Sequence, residues 1–259
     1  MIKIPVKLTV VSDYLHFSGF EDYIVASGDA KRIIDDFLRG RYSMDLIRAV
    51  RMIRRLPRDE RGVVMPGNTV RGMARSRLEL LLRSADYPAA QRLQSRSRPS
   101  KVYREIFNPE RKSSKEVSCV KDLFGEASRN GGEEARASRV FFSDFVLPSA
   151  EAEKYVVTTR KSLPRGGSIE LEAVKKGATF EGYLLGDGLK PWEIGMLAFA
   201  LGYGGNGRWK VRLLGMYKYS DRQYGRVTFR LDYPQLEPCY GDFMARCGDD
   251  IKPVEEDWK

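Results

Sequence analysis

The residues able to do chemistry are few in kind and unevenly placed. A single histidine, His16, stands just past the first apolar run. One imidazole cannot build a two-histidine metal site, and a Ser-His-Asp system would have to use His16. His16 could serve as a general base, or it could be a packing and hydrogen-bonding residue. Cys119, Cys239 and Cys247 form no CxxC pair, so zinc-ribbon and redox-pair chemistry lack a framework and free thiols are expected. Glu21, Asp22 and Asp29 follow His16 in LHFSGFEDYIVASGD, which reads as a glycine-containing loop. Loop carboxylates are solvated unless a divalent metal or an RNA 2′-hydroxyl is brought to them.

Two glycine segments invite an anion. GYGGNG carries G-x-G-x-x-G at Gly202, Gly204 and Gly207. It follows a helical pattern and precedes a strand pattern, the reverse of the dinucleotide fingerprint. Its glycines can still open consecutive N–H groups to an anion, with Arg208 and Lys210 beside them. A plain tight turn is the alternative. PGNTVRG at 66–72 places a Pro66-Gly67 turn before a helix expected from Thr69 to Ser84, with Asn68 as its cap. Helix N–H groups beside Arg71 and Arg75 would seat a phosphate. An ordinary capped helix with exposed arginines fits the same residues.

Charge points to the class of partner. Residues 48–115 hold 18 Lys/Arg against 6 Asp/Glu, a local +12 in a chain of net +10. Arginine dominates this block, and its planar fork binds phosphate bidentately and stacks on bases. A one-signed patch of this size is the footprint of a polyanion, most simply nucleic acid.

The elements that must position these residues follow from periodicity. IKIPVKLTVV at 2–11 alternates as a strand. Residues 30–55 read as helical. RVFFSDFVL (139–147), KYVVTTRK (154–161) and TFEGYLL (179–185) read as extended, and LPRGGS after the second of these as a turn. LKPWEIGMLAFALG (189–202) is apolar on nearly every side, the mark of a buried helix. WKVRLLGMYKY and GRVTFRLDY read as two more strands. Residues 95–118 are polar and poorly periodic, and the tail from Gly248 is acidic and expected to be peripheral. The core order is strand, helix, strand, strand, helix, strand. This is an α+β, ferredoxin-like βαββαβ arrangement with long insertions. No run approaches the roughly 18 apolar residues of a membrane span, and the N-terminus reads as a strand and not a leader. A cytoplasmic location is expected, with no membrane partner.

VVMPGNTVRGMARSRLE resembles the central "IPGSSLKGxxR" segment of RAMP-superfamily proteins from CRISPR systems. LHFSG resembles that family's "LHIGxG", Leu123-Phe124-Gly125 its "LFG", SRVFFSDF its "GRLxFxDA", and GYGGNGRWKV its "GGxxSRGxGxV". The ordered set spans about residues 3–217. Within the superfamily, the central block points to the backbone-type subunits of type III effector complexes. The resemblance implies one domain over 1–259, an RRM-like palm with a thumb hairpin and helical or lid insertions at about 30–60, 86–137 and 148–176. It implies a guide-RNA-binding structural subunit of an antiviral ribonucleoprotein complex. Guide RNA would be held by Asn68, Arg71, Arg75, Arg160, Gly204, Gly205, Gly207 and Arg208. Partners would be single-stranded guide RNA, target RNA and other effector subunits, with head-to-tail self-assembly. In cleaving members a loop aspartate assists Mg²⁺-dependent cutting of the target strand. Asp29 falls at about that position, with Asp22 as second choice. Binding itself needs no cofactor. Asn68-Thr69 replaces the usual Ser-Ser, and the helical insertion at 30–60 resembles non-cleaving members. A metal-dependent target-RNA endonuclease and a basic RNA-binding module outside CRISPR are the alternatives.

Overall fold

The structure, a computed structural model, describes residues 1–17, 20–25, 30–41, 50–82, 119–125, 136–161 and 168–251. Asp29 and the basic stretch from 83 to 118 lie outside the described residues. The first strands are β1 (Ile2–Val10), β2 (Tyr14–Leu15), β3 (Phe20–Val25), β4 (Val50–Arg55), β5 (Arg58–Asp59) and β6 (Gly62–Met65). Next come β7 (Val140–Phe142), β8 (Phe145–Val146), β9 (Tyr155–Lys161) and β10 (Ser168–Lys175). Then follow β11 (Thr179–Gly186), β12 (Arg212–Leu213) and β13 (Arg226–Leu231). The helices are α1 (Ala30–Leu38), α2 (Gly67–Leu81), α3 (Cys119–Phe124), α4 (Pro191–Ala200) and α5 (Leu236–Cys247).

Strict alternation in β1 sends Ile4, Val6, Leu8 and Val10 inward. Pairing carries that face across the sheet: Leu8 lies opposite Phe180 on β11 and opposite Phe229 on β13, and all three are buried. The sheet runs β12-β13-β1-β11-β8-β6-β5, with β7 also on β11. Its four principal positions, β13, β1, β11 and β7/β8, are the fourth, first, third and second strands of a βαββαβ unit. All neighbours among them are antiparallel. This is the ferredoxin-like palm that the element order predicts. Gly182 on β11 makes room for the Phe145 ring, since a Cβ there would lie 2.8 Å from it.

Helix α4 is apolar all round because it is covered twice. Ile194, Met196, Leu197 and Ala198 join the main core. On the other side lies α5, which the sequence pattern does not reveal. A Cβ on Gly195 would fall 2.1 Å from the Cys239 carbonyl oxygen, so glycine sets this close approach. Phe199 and Phe243 meet across it at 5.3 Å. Burying a ring such as Phe243 is worth about 1.5–3 kcal/mol.

A second sheet centres on β10. One edge pairs along its length with β9, giving the hairpin expected from KYVVTTRK. The other edge takes β4 in parallel and β2 antiparallel, and β3 lies beyond β4. This corrects two expectations. Of the helix expected over 30–55, Ala30–Leu38 is helical, residues 42–49 lie outside the described residues, and Val50–Arg55 is a strand. Phe20–Val25, expected as loop, is its partner. The reason is tertiary: pairing buries Ile53 and sets Glu21 directly opposite Arg54. Of WKVRLLGMYKY only Arg212–Leu213 is strand. The chain turns at Gly215, where a Cβ would lie 2.4 Å from the His16 carbonyl oxygen, and at Tyr217 with φ 63°. No helix among the described residues is long and apolar enough to cross a membrane.

Candidate nucleic-acid interface

Helix α2 begins at Gly67, so Asn68 lies inside its first turn and is not the cap. Pro66 holds the cap position and makes no side-chain capping bond. The anion at this helix end comes from within the chain: the Gly67 N–H donates to Asp144 Oδ1 at 2.8 Å. A carboxylate there is favoured by the helix dipole and an unpaired N–H. Gly67 is obligatory, because a Cβ would lie 2.1 Å from the Phe142 carbonyl oxygen. One turn on, Arg71 donates to the carbonyls of Phe124 (2.5 Å) and Val140 (3.3 Å). Burial, then the neighbouring Arg75 charge, lowers its pKa from the ordinary value. Arg75 donates to Glu79 Oε1 at 2.7 Å and to the Gly125 carbonyl at 3.0 Å. The two guanidiniums thus satisfy carbonyls at the end of α3, where Leu123 and Phe124 are buried and Gly125 turns left-handed at φ 73°. Asn68 remains exposed.

The glycine loop after α4 is also closed by its own chain. Tyr203 packs 4.9 Å from Trp209 and 5.2 Å edge-on from Tyr240, ring centroid to centroid. The Asn206 N–H reaches both oxygens of Glu237 at 3.0 Å. The Tyr203 hydroxyl donates to Glu237 and accepts the Gly207 N–H at 3.2 Å. That hydroxyl first, and the Asn206 N–H second, hold the Glu237 carboxyl below its ordinary value. Gly205, at φ 82°, is buried against Tyr240, whereas Gly204, Gly207, Arg208 and Lys210 face solvent. The loop does cradle an anion through main-chain N–H groups, and that anion is Glu237.

Asp22 lies on a strand and pairs with Arg55 at 3.0 Å, while Glu21 takes Arg54 at 2.8 Å. Among the described residues no three His, Cys, Asp or Glu side chains gather as metal ligands. His16 is fully buried: its Nδ1 lies 2.7 Å from the Glu172 carbonyl oxygen and its ring stacks on Tyr217. Glu172 is itself a buried hub, accepting the Leu56 N–H at 2.9 Å and pairing with Arg58 at 3.4 Å. Arg160 sits on β9 opposite Ile169 in the hairpin.

Residues 48–214 match the sequence profile of the RAMP superfamily. The chain belongs to that superfamily. The matched span contains PGNTVRG, LFG, SRVFFSDF and GYGGNGR, the segments just described. No curated protein matches the chain in sequence. A chain of a solved structure described as "Type IV-B CRISPR Complex" is similar at a TM-score of 0.43 and 12% identity. That similarity covers 90% of this chain and 91% of that one.

The RAMP palm also exposes two aromatic residues, Phe141 at an unspecified position within SRVFFSDF and Tyr183 outside the motifs. Phe141 and Tyr183 stand on the outer face of the sheet, opposite the helices. The signal for them is in the sequence: both are aromatic residues at the outward positions of alternating strands. Asp144 lies within SRVFFSDF and Glu237 outside the motifs, and nothing local ties either to the group it binds, 77 and 31 residues away.

Proposed function

We propose that this RAMP protein is a CRISPR-associated RNA-binding subunit that holds single-stranded guide RNA within a type III-like effector complex. One observation carries the reading: the superfamily match over 48–214 brackets four of the five motifs and the whole of the +12 basic block. Asn68 on α2 and Arg208 and Lys210 on the glycine loop, all exposed, are the contacts to RNA, together with Arg160 on the thumb hairpin. Arg71 and Arg75 serve by fixing the α3 turn against α2. The function is binding, not cutting, and the pairing of Asp22 with Arg55 supports that choice. Exposed apolar residues on α1, Ile34, Phe37 and Leu38, support contacts to neighbouring subunits, including further copies of this chain.

The test is binding and cleavage of labelled single-stranded RNA, with and without a CRISPR-repeat sequence, in Mg²⁺ and in EDTA. Salt-sensitive binding with the RNA intact in both buffers is expected. Mg²⁺-dependent cutting abolished by Asp29→Ala would replace the binding role with a nuclease one. Absence of RNA binding at moderate salt, alone and with partner subunits, would refute the reading.

A further inference from the structure

The outer face of the palm sheet is set in cross-strand rows. Phe141, Leu185 and Lys3 form one row, and Tyr183 and Pro5 the next. Glu181, Lys7 and Arg230 form the third. Phe141 is 51% exposed and Tyr183 39%, so neither ring is spent on the core. The two are diagonal neighbours across β7 and β11, about 7–8 Å apart. The Lys3 ammonium rests 3.9 Å from the Tyr183 ring centroid and covers a face of that exposed ring, which a group from outside would take by displacing it. Lys7 pairs with Glu181 at 3.1 Å, and Asp232 is exposed just beyond Arg230. The cations on this face still outnumber the carboxylates.

We propose that this face is a stacking platform for single-stranded RNA. Two unpaired bases lie on Tyr183 and Phe141, while Lys3, Lys7 and Arg230 take the flanking phosphates. The inference rests on the RNA-binding reading above and names where bases would be held. Aromatic faces accept any base and cations track the backbone, so the platform reads no sequence. Charge decides between occupants: rings bordered by Lys3, Lys7 and Arg230 suit a flexible polyanion with flat apolar groups. A base arriving on Tyr183 displaces the Lys3 ammonium from the ring and leaves it free for a phosphate.

The experiment uses the full chain and a labelled mixed-sequence single-stranded RNA, with duplex RNA of the same length as control. Tyr183→Ala and Phe141→Ala are each expected to weaken single-strand binding about 5-fold or more, up to about 150-fold, with the salt slope unchanged. Tyr183→Phe keeps the affinity, because the ring and not the hydroxyl carries the base. Lys3→Ala lowers the salt slope by about 0.7. Both rings are exposed, so thermal melts should match wild type and exclude misfolding. Wild-type affinity in both ring variants would overturn the platform and leave the RNA-binding reading standing. So would unchanged affinity with altered self-association, which would assign the face to protein contacts. A wild-type chain that binds no RNA would overturn both.

Discussion

Arg71 is the residue on which a role in gripping RNA and a role within the fold make opposite predictions. Its side chain donates to two main-chain carbonyls, Phe124 O at the end of α3 and Val140 O at the start of β7. Hydrogen bonds to a charged group are worth about 1.5–3 kcal/mol each. The site is half-buried, so the lower figure applies, and the two bonds together give about 3 kcal/mol. The Phe124 ring, 5.8 Å from the guanidinium carbon, adds little. In a domain of this size 1 kcal/mol shifts Tm by about 2–4 °C, so Arg71→Ala should melt roughly 6–12 °C below wild type. Arg71→Lys keeps the charge but cannot span both carbonyls, and should lose about half as much.

The assay pairs thermal unfolding with RNA affinity measured over a range of salt, well below the melting temperature. If Arg71 neutralises a phosphate, Arg71→Ala lowers the salt slope by about 0.7. A carbonyl clamp leaves the slope alone, even if a loosened turn weakens affinity somewhat. The expected result is a large fall in Tm with an unchanged slope. A Tm within a degree or so of wild type, together with a shallower slope, would refute the clamp and make Arg71 a phosphate ligand.

Glycines in one helix give a matched pair. Gly67→Ala drives a Cβ to 2.1 Å from a carbonyl oxygen and should abolish soluble expression or lower stability by several kcal/mol, whereas Gly72→Ala meets nothing within 4 Å and should stabilise by about 0.5–1 kcal/mol in urea unfolding. Glu237 has a folded pKa below its ordinary 4.5, so its stabilisation of the glycine loop is complete above that value and fades as pH falls through the lowered one. Trp209 emission, beside Tyr203, should follow that acid transition in wild type and not in Glu237→Gln; identical titrations would rule the carboxylate out. Glu172→Ala leaves the buried Leu56 N–H without its acceptor and strips Arg58 of its partner, and should cost about 1–3 kcal/mol in chemical denaturation, with Glu172→Gln recovering part of it.

What is legible in the sequence is whatever depends on near neighbours. The alternation of IKIPVKLTV and TFEGYLLG marks two central palm strands, and the unbroken apolar character of PWEIGMLAFA marks α4. Strand β4 escapes such a reading because arginines at 48, 51 and 55 imitate a helical face. Only β3 and β10 on either side, with Glu21 and Asp22 across the ladder, make extended backbone the better solution. Helix α5 is hidden because Pro238 and Gly241 interrupt its pattern. The two anion seats are recognisable as geometry, yet their occupants are not, because Asp144 and Glu237 arrive from distant segments. A helix N-terminus or a glycine loop advertises its donors locally, whereas its acceptor is settled by the fold.

The same separation governs how RNA would be gripped. PG, LFG and SDF converge on one place: Gly67 lets α2 approach Phe142, Asp144 closes the helix start, and Arg71 and Arg75 close the end of α3. These motifs mark a scaffold before they mark any ligand. With Asp144 and Glu237 on the main-chain N–H groups, a phosphate would have to displace a carboxylate to bind there, exchanging one charged acceptor for another at little net gain. Exposed cations face no such exchange. Affinity should therefore come from Arg208, Lys210 and the basic side chains of the palm and of the 48–115 block. Binding should fall steeply with salt, each neutralised phosphate contributing about 0.7 to the slope. A slope near zero with strong binding would instead require the main-chain seats to open, and Glu237→Gln would then be the variant that binds more tightly.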